Sequence, residues 1–162
     1  MKELLEQFRG PGPAPATLAG GMPSRTSLAR RFLAAVSSRD TAALEAMQIT
    51  RSEFGWLIFP EHLYASAPYE LDPEIFWLQL QVRSAAGVRQ ALTHLGGRPL
   101  QLAGLDCRLD VIQGKSPQVL FWSPCRVRYL NGDGIQVHKL FGTIVEHRGV
   151  MKFLSYANEL GG

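Results

Sequence analysis

Apolar and polar residues alternate through residues 100–157, the last third of the chain. Alternation with a period of two is typical of a β-strand that has one covered face. Turns that contain Gly divide this segment into four predicted strands, at 100–111, 119–130, 135–147 and 151–157. The sequence Asn-Gly-Asp-Gly at 131–134 is a strong hairpin signal. We therefore predict an antiparallel sheet.

The odd positions of the last three strands form one nearly continuous apolar face, from Val119 to Ala157. In the first strand the apolar phase changes at Ala103 and Gly104, which predicts a β-bulge. A face this apolar needs cover, and helices of the front half are the available cover. The expected fold class is α+β, with N-terminal helices packed on the concave face of a strongly bent antiparallel sheet, an α+β roll.

Helix-start signals and the helical spacing of apolar residues predict the helices that cover the sheet. Ser24 or Thr26 caps a helix over about 24–37, and Asp40 caps a second over about 40–47.

Two further helical segments follow. Thr-Arg-Ser-Glu at 50–53 is a capping box that opens a short aromatic helix over 54–59. Asp72 and Pro73 begin a long helix that Gly96 ends.

The first 23 residues have a different composition. A short helix over 2–8 is followed by Pro and Gly at close intervals through 10–23, which cannot hold a helix ladder. We predict a flexible N-terminal arm or linker over 1–23 and one domain over 24–162. No apolar stretch follows a basic start, so no signal peptide is predicted, although such linkers often follow a removed signal or lipid anchor.

Charge narrows the classes of partner. The chain has 17 Lys+Arg and 14 Asp+Glu, a formal net charge of +3. Its densest basic group, Arg25, Arg30 and Arg31, lies on one predicted helix rather than along a basic stripe. No apolar run approaches the roughly 20 residues of a membrane span. We expect neither a nucleic-acid partner nor a membrane span.

An acid–base catalyst needs a titratable group inside a dry pocket. His138 and Glu146 fall on the outer phase of the strands, so no catalytic residue is predicted from the sheet. A helix or loop could still supply one from Glu53, Glu61, His62 or Asp72. The polar residues of the predicted inner face are Ser123, Tyr129, Lys139, Thr143 and Ser155.

No metal or cofactor motif is present. The four His and two Cys lack the spacing of zinc ligands. The turn near Gly114 is not a phosphate loop, because Leu109 stands where that motif needs its first Gly.

The two cysteines fall on facing strands. If the first hairpin turns about Ser116, Cys107 lies directly opposite Cys125, close to bonding range. A disulfide would indicate an oxidising compartment, and two buried free thiols are the open alternative. The localisation stays open: exported if a leader was removed and the disulfide forms, cytoplasmic otherwise.

The even positions of the strands mix apolar and charged residues. Apolar side chains grouped in this way form either a homodimer surface or ordinary scattered exposure. The candidate dimer-face residues are Leu120, Trp122, Leu140, Ile144, Leu154 and Tyr156.

Helices followed by four long antiparallel strands resemble the nuclear transport factor 2-like superfamily, including uncharacterised, often exported bacterial members. Residues 30–44 are similar to the first two helices of such proteins, and residues 139–158 to their final hairpin. The resemblance covers 24–158 and implies a cone-shaped roll. Because the superfamily includes isomerases, dehydratases, polyketide cyclases and transport adaptors, it implies no single activity.

Two hypotheses about function follow. The first is a non-enzymatic module for small-ligand binding or assembly, with an apolar small molecule between helices and sheet and a homodimer face outside. The alternative is a lyase or isomerase that acts on a hydrophobic small molecule in the same pocket. The candidate pocket residues are Trp56, Trp77, Phe121, Ser123, Tyr129, Phe141, Thr143 and Ser155.

Overall fold

The structure, a computed structural model, describes residues 1–114 and 117–160 of the 162-residue chain. Helices come first and an antiparallel sheet follows, which confirms the α+β class. The helices are α1 (Lys2–Arg9), α2 (Arg25–Ser37), α3 (Thr41–Ala46), α4 (Arg51–Glu53) and α5 (Pro73–Leu95). A π-helical turn (Phe54–Ile58) and two 3-10 turns (Phe59–Glu61 and Leu63–Ala65) lie between α4 and α5.

Side-chain caps begin the helices at the predicted positions, because they satisfy N–H groups that a first turn leaves unpaired. Ser24 Oγ accepts from Ser27 N at 3.0 Å, which selects Ser24 over Thr26 as the cap of α2. Asp40 caps α3, and Asp72 caps α5. The capping box that opens α4 also forms, with Thr50 as its N-cap.

The sheet has strands β1 (Gln101–Leu109), β2 (Val119–Leu130), β3 (Ile135–His138), β4 (Ile144–His147) and β5 (Val150–Phe153). Their order is β1-β2-β4-β5, and β3 pairs with β2. All the pairs are antiparallel. The sheet is not strongly curled, so the strong bend expected from the sequence is not supported.

The predicted third strand is two strands, because residues 139–143 leave the ladder between β3 and β4. Val127 pairs with His138, whereas Trp122 pairs with Ile144. The break is one residue longer than the stretch of β2 that faces it, and one extra residue reverses the side-chain alternation.

That reversal overturns two expectations about β3. His138 was expected on the outer phase, but it lies opposite Val127 and faces the same side of the sheet. Ile135 and Val137 were expected under the helices, but they are 62% and 51% exposed.

Two clusters of buried residues form the core. The α2 cluster combines α2 and α3 with Cys125, Val127 and Tyr129 of β2 and with Phe153. The π-turn cluster combines Phe8, Leu18 and the π-helical turn with Val119, Phe121 and Val145.

Strand β2 contributes to both clusters, and its alternation changes phase between them. Trp122 packs against the α2 cluster, as Cys125 does, although one residue number is even and the other odd. The cause is an irregularity in the β1–β2 ladder, where Leu109 pairs with Trp122 and Cys107 with Cys125. The odd positions therefore share one face within each half of β2, not along its whole length.

The cysteine prediction is confirmed. Cys107 lies opposite Cys125, and the two Sγ atoms are 2.11 Å apart, at disulfide distance. The predicted bulge near Gly104 is confirmed as well, since the register shifts between Leu102 and Gly104. Lys115 and Ser116, the middle of the predicted first turn, and the final Gly161 and Gly162 lie outside the described residues.

The predicted outer face is not an open surface. Leu140, Ile144, Leu154 and Tyr156 are at most 3% exposed, because the break and the end of β5 turn them into the core. This corrects their interpretation as dimer-face residues. Leu120 and Trp122 are half-buried, and the Arg25 guanidinium lies 3.5 Å from the centre of the Trp122 ring.

The N-terminal segment packs against the domain. Phe8 and Leu18 are 4% and 1% exposed. Met22 forms a β-bridge with Met151 of β5 and so covers part of that edge. The structure thus shows contacts that the sequence did not predict, while the flexibility of 1–23 and the division at residue 23 stay predictions.

A buried ion pair also holds this segment. Lys152 Nζ lies 3.0 Å from Glu53 Oε1, and both side chains are 3% exposed. Lys152 also donates to the carbonyl of Ala19, and Glu53 Oε2 accepts from Ala19 N at 2.7 Å. These bonds satisfy charges that burial would otherwise penalise.

Candidate functional site

A cleft of about 340 Å³ lies between α5, the second 3-10 turn and the sheet. This volume is near the lower end of the range for ligand pockets, roughly 300–1,000 Å³. Its apolar wall is formed mainly by Phe76 and Leu80 of α5 and by Leu154. The side chains of the lining that carry polar groups are His62, Tyr64, Arg83, Gln113, Ser123, Lys139, Thr143 and Ser155.

The strand break between β3 and β4 builds one side of the cleft. Lys139 and Thr143 stand at the two ends of that break. Between them, Gly142 N donates to Ser155 O at 2.9 Å. A Cβ at Gly142 would lie 2.9 Å from the same oxygen, so glycine permits this close approach. The contact places Thr143 beside Ser155.

The lining is positively charged. Arg83 comes from α5, and Lys139 comes from the break. No Asp or Glu belongs to the part of the lining that the structure describes. Glu159 lies nearby, but its Oε1 accepts from Lys139 N and is 3.8 Å from Arg126. Two cations without a lining carboxylate favour an anionic ligand.

His62 is buried in the wall, and both ring nitrogens are engaged. Its Nδ1 accepts from Tyr64 N at 3.0 Å, so the proton of the neutral ring belongs on Nε2. Nε2 lies 3.3 Å from Gln113 Oε1, and the Gln113 amide donates to Asp110. This chain of bonds fixes the His62 ring rather than presenting a base to the cleft.

Asp110 ends that chain as an ionised group. Burial raises its pKa, but hydrogen bonds from the Gln113 side chain and from the Gln113 and Ile112 backbones lower it more. The pKa of Asp110 therefore lies below its ordinary value. Its negative charge favours the hydrogen-bonded geometry of Gln113 and His62.

Three of the predicted pocket residues line the cleft: Ser123, Thr143 and Ser155. Lys139, which the sequence placed on the same inner face, joins them. Of the polar residues expected on that face, Tyr129 alone lies elsewhere, with its Oη 2.9 Å from His138 Nδ1.

The predicted aromatic pocket residues lie in the core or on its edge and do not line the cleft. Phe121 stands behind the wall, with its ring centre 5.3 Å from that of His62. Phe141 lies 4.7 Å from Phe153 between ring centres, and Trp77 packs on Phe54.

Trp56 is half-buried and belongs to neither the wall nor the mouth of the cleft. The Arg9 guanidinium lies 4.2 Å from the centre of its ring. That contact fastens α1 to the π-helical turn, so the role it shows is structural.

Sequence reasoning missed Arg83, Gln113 and the apolar wall from Phe76. Arg83 lies three residues after Leu80, on the border of the buried face of α5, and no local signal separates it from other surface arginines. His62 was weighed as a loop candidate, and the structure places it in the wall.

Among the described residues, no group of three or more His, Cys, Asp or Glu is placed to hold a metal ion. In the ranges 1–114 and 117–160, no helix combines the length and apolar character needed to cross a membrane. No family model, curated protein or solved structure matches this chain.

Proposed function

We propose that this chain is a non-enzymatic binding module whose cleft holds a small organic acid. The acid group lies beside Arg83 and Lys139, and the apolar body lies against Phe76 and Leu80. The observation that carries the proposal is a pocket-sized cleft with two cationic side chains, an apolar wall and no carboxylate in its described lining. The sequence predicted an apolar ligand. The two charged groups make that prediction more specific, because they favour an acid with an apolar body.

Hydroxyl groups complement the two cations. Ser123 and Thr143 line the cleft, and a hydroxyl can donate to a carboxylate oxygen. Ser155 Oγ already accepts a hydrogen bond from Ala157 N at 3.1 Å. The hydroxyl hydrogen of Ser155 takes no part in that bond. Hydrogen bonds to a charged acceptor are shorter and stronger than neutral ones, so these groups favour an acid over its amide.

The contacts of His62 support a binding function without catalysis. A general base must reach the proton that it removes. His62 Nδ1 already accepts from the Tyr64 backbone, and Nε2 faces Gln113. A lyase or isomerase, the alternative function, could use His62 as its base only if His62 broke one of these contacts.

Membership of the nuclear transport factor 2-like superfamily also stays our proposal. Helices that precede an antiparallel sheet, with a cleft between the two layers, support it. The absence of a strong curl in the sheet weighs against it.

Calorimetric titration with benzoate, octanoate and the matching amides tests the proposed function. We expect the acids to bind and the amides to bind at least about 10-fold more weakly. Arg83→Gln and Lys139→Gln are each expected to weaken acid binding by a similar factor. Arg148→Gln, in the exposed turn between β4 and β5, is the matched control and should change nothing. Equal binding of benzamide and benzoate, or no binding of either acid, would overturn the proposal.

A further inference from the structure

Helix α5 is apolar on two opposite faces. Its inner face buries Phe76 and Leu80, at 8% and 6% exposure. On the other side, Ile75, Leu78 and Val82 are 50%, 62% and 62% exposed. A helix with one partner normally shows one apolar stripe, and a helix that is apolar all round is normally covered all round.

The exposed residues have the spacing of a coiled-coil seam. Ile75, Leu78, Val82 and Ala85 follow one another at intervals of three, four and three residues, as the a and d positions of a heptad do. We call these four residues the outer seam of α5. Glu74 precedes the seam, and Arg89 stands at its next position. From Ile75 to Arg89 the face extends about 21 Å.

We propose that the outer seam of α5 binds the same seam of a second copy of this chain, with the two helices antiparallel. In that arrangement Leu78 of one copy lies against Val82 of the other, and Ile75 lies against Ala85. The small side chain at Ala85 leaves room for the larger Ile75. A symmetric dimer of this kind is isologous, so one self-complementary surface is sufficient.

Charge selects the antiparallel direction. Parallel helices would place the two Arg89 side chains against each other. Antiparallel helices place Arg89 of each copy near Glu74 of the other. Glu74 accepts two hydrogen bonds of 2.7 Å from Arg51, yet its side chain remains 58% exposed and has acceptor capacity left.

The seam is short, so the dimer is expected to be weak. A standard interface buries about 800 Å² on each partner, and one helix face of this length supplies only part of that area. We expect a dissociation constant on the order of 10 µM. The proposal is independent of the ligand proposal, because the cleft lies against the inner face of α5 and needs no second copy.

Sedimentation equilibrium from about 5 µM to about 0.5 mM tests the association. The average mass should rise with concentration over this range, from nearer the monomer mass to nearer twice that mass. Leu78→Lys should weaken the dimer at least about 10-fold. Val137→Lys places the same charge at another exposed apolar position, outside the seam, and should leave the dimer unchanged. Both positions are exposed, so circular dichroism should show the same folded state for both variants.

Cysteine cross-linking tests the direction. Under mild oxidation, copies with Ile75→Cys should cross-link to copies with Ala85→Cys in a mixture, and neither variant should cross-link to itself. Self-cross-linking of both variants would overturn the antiparallel arrangement. A monomer mass at every concentration would overturn the proposal that a second copy binds the seam. The seam would then be expected to bind a different protein. A Leu78→Lys variant that dimerises as the unmodified chain does would overturn the seam as the surface.

Discussion

The two ends of the sheet are built differently. At one end, residues 119–122 of β2 pair with β4, which pairs with β5, and this part of the sheet has the α2 cluster on one face and the π-turn cluster on the other. At the other end, residues 125–130 of β2 lie between β1 and β3, with the α2 cluster on one face. The opposite face there carries the exposed side chains of Arg126, Arg128 and Val137.

This difference decides where alternation along the sequence is informative. At the open end, covered and exposed side chains alternate along residues 125–130, as a strand with one covered face requires. At the covered end, both faces of each strand carry apolar side chains, and a pattern of period two cannot say which cluster a residue joins. The irregularities that separate the two ends then reverse the phase.

The largest effect is expected at the covered end, from the buried ion pair. Lys152→Met removes the partner of Glu53 and leaves a carboxylate without its counter-charge at 3% exposure. We expect a loss of about 3–5 kcal/mol in the free energy of unfolding. Urea denaturation measures it.

The double variant Lys152→Met with Glu53→Gln is the control. It leaves no charge buried, and the single amide oxygen of Gln can still accept from one of the two backbone N–H groups that bond to Glu53, those of Thr50 and Ala19. The double variant should therefore be more stable than Lys152→Met alone. An equal or greater loss would show that the pair does not act as a unit.

The second-largest change in stability is expected at the open end, where the disulfide between Cys107 and Cys125 joins β1 to β2. Their sequence separation is 18, and closing a loop of that size stabilises a fold by about 3 kcal/mol. The free energy of unfolding measured without a thiol reductant should exceed the value measured with the reductant by that amount. The double variant Cys107→Ala with Cys125→Ala should show no response to the reductant, and a response there would assign the effect to something other than the disulfide.

A matched pair of valines compares covered and uncovered positions directly. Val127 is 0% exposed, and Val137, in the neighbouring strand, is 51% exposed. Val127→Ala should lower the free energy of unfolding by about 2 kcal/mol, and Val137→Ala by less than about 0.5 kcal/mol. Equal losses in urea denaturation would mean that both faces of the open end are covered in solution.

The smallest expected effect is a dependence of the free energy of unfolding on pH, which arises at the covered end. Burial lowers the pKa of His147, Arg148 lowers it further, and Glu61 opposes both. A lowered folded-state pKa contributes stability above the unfolded value of about 6.5, and that stability is lost as the pH falls from there through the folded-state value. Urea denaturation between pH 8 and pH 5 should show this loss, and His147→Asn should reduce it. An unchanged pH profile for His147→Asn would contradict the burial of a neutral ring.

Much of the fold was predictable because it rests on local signals. Ser24, Asp40, Thr50 and Asp72 cap helices in ways that need only neighbouring residues. The Cys107–Cys125 pairing followed from a short hairpin. The break at 139–143 was not predicted, because one glycine, Gly142, does not reveal an extra residue, and the contact between Gly142 and Ser155 forms only in the folded chain.

The candidate site was predictable in part for the same reason. Ser123, Thr143 and Ser155 were placed on an inner face by alternation, and they line the cleft. Arg83 and Gln113 join them from α5 and from the turn after β1, and only the folded chain brings those elements together. The aromatic residues expected in the pocket do not line this cleft, and large rings such as Phe141 fill the core.

The most direct test of the organic-acid site is a titration followed by backbone amide NMR. With benzoate, the amide signals of Gly142, Thr143 and Ser155 should shift together and saturate, while benzamide should shift them little at the same concentration. The amides of residues 131–134, in the turn at the far end of β2, should stay in place for both compounds. Equal shifts with benzamide, or benzoate shifts that leave the cleft residues unmoved, would contradict an anion-selective cleft.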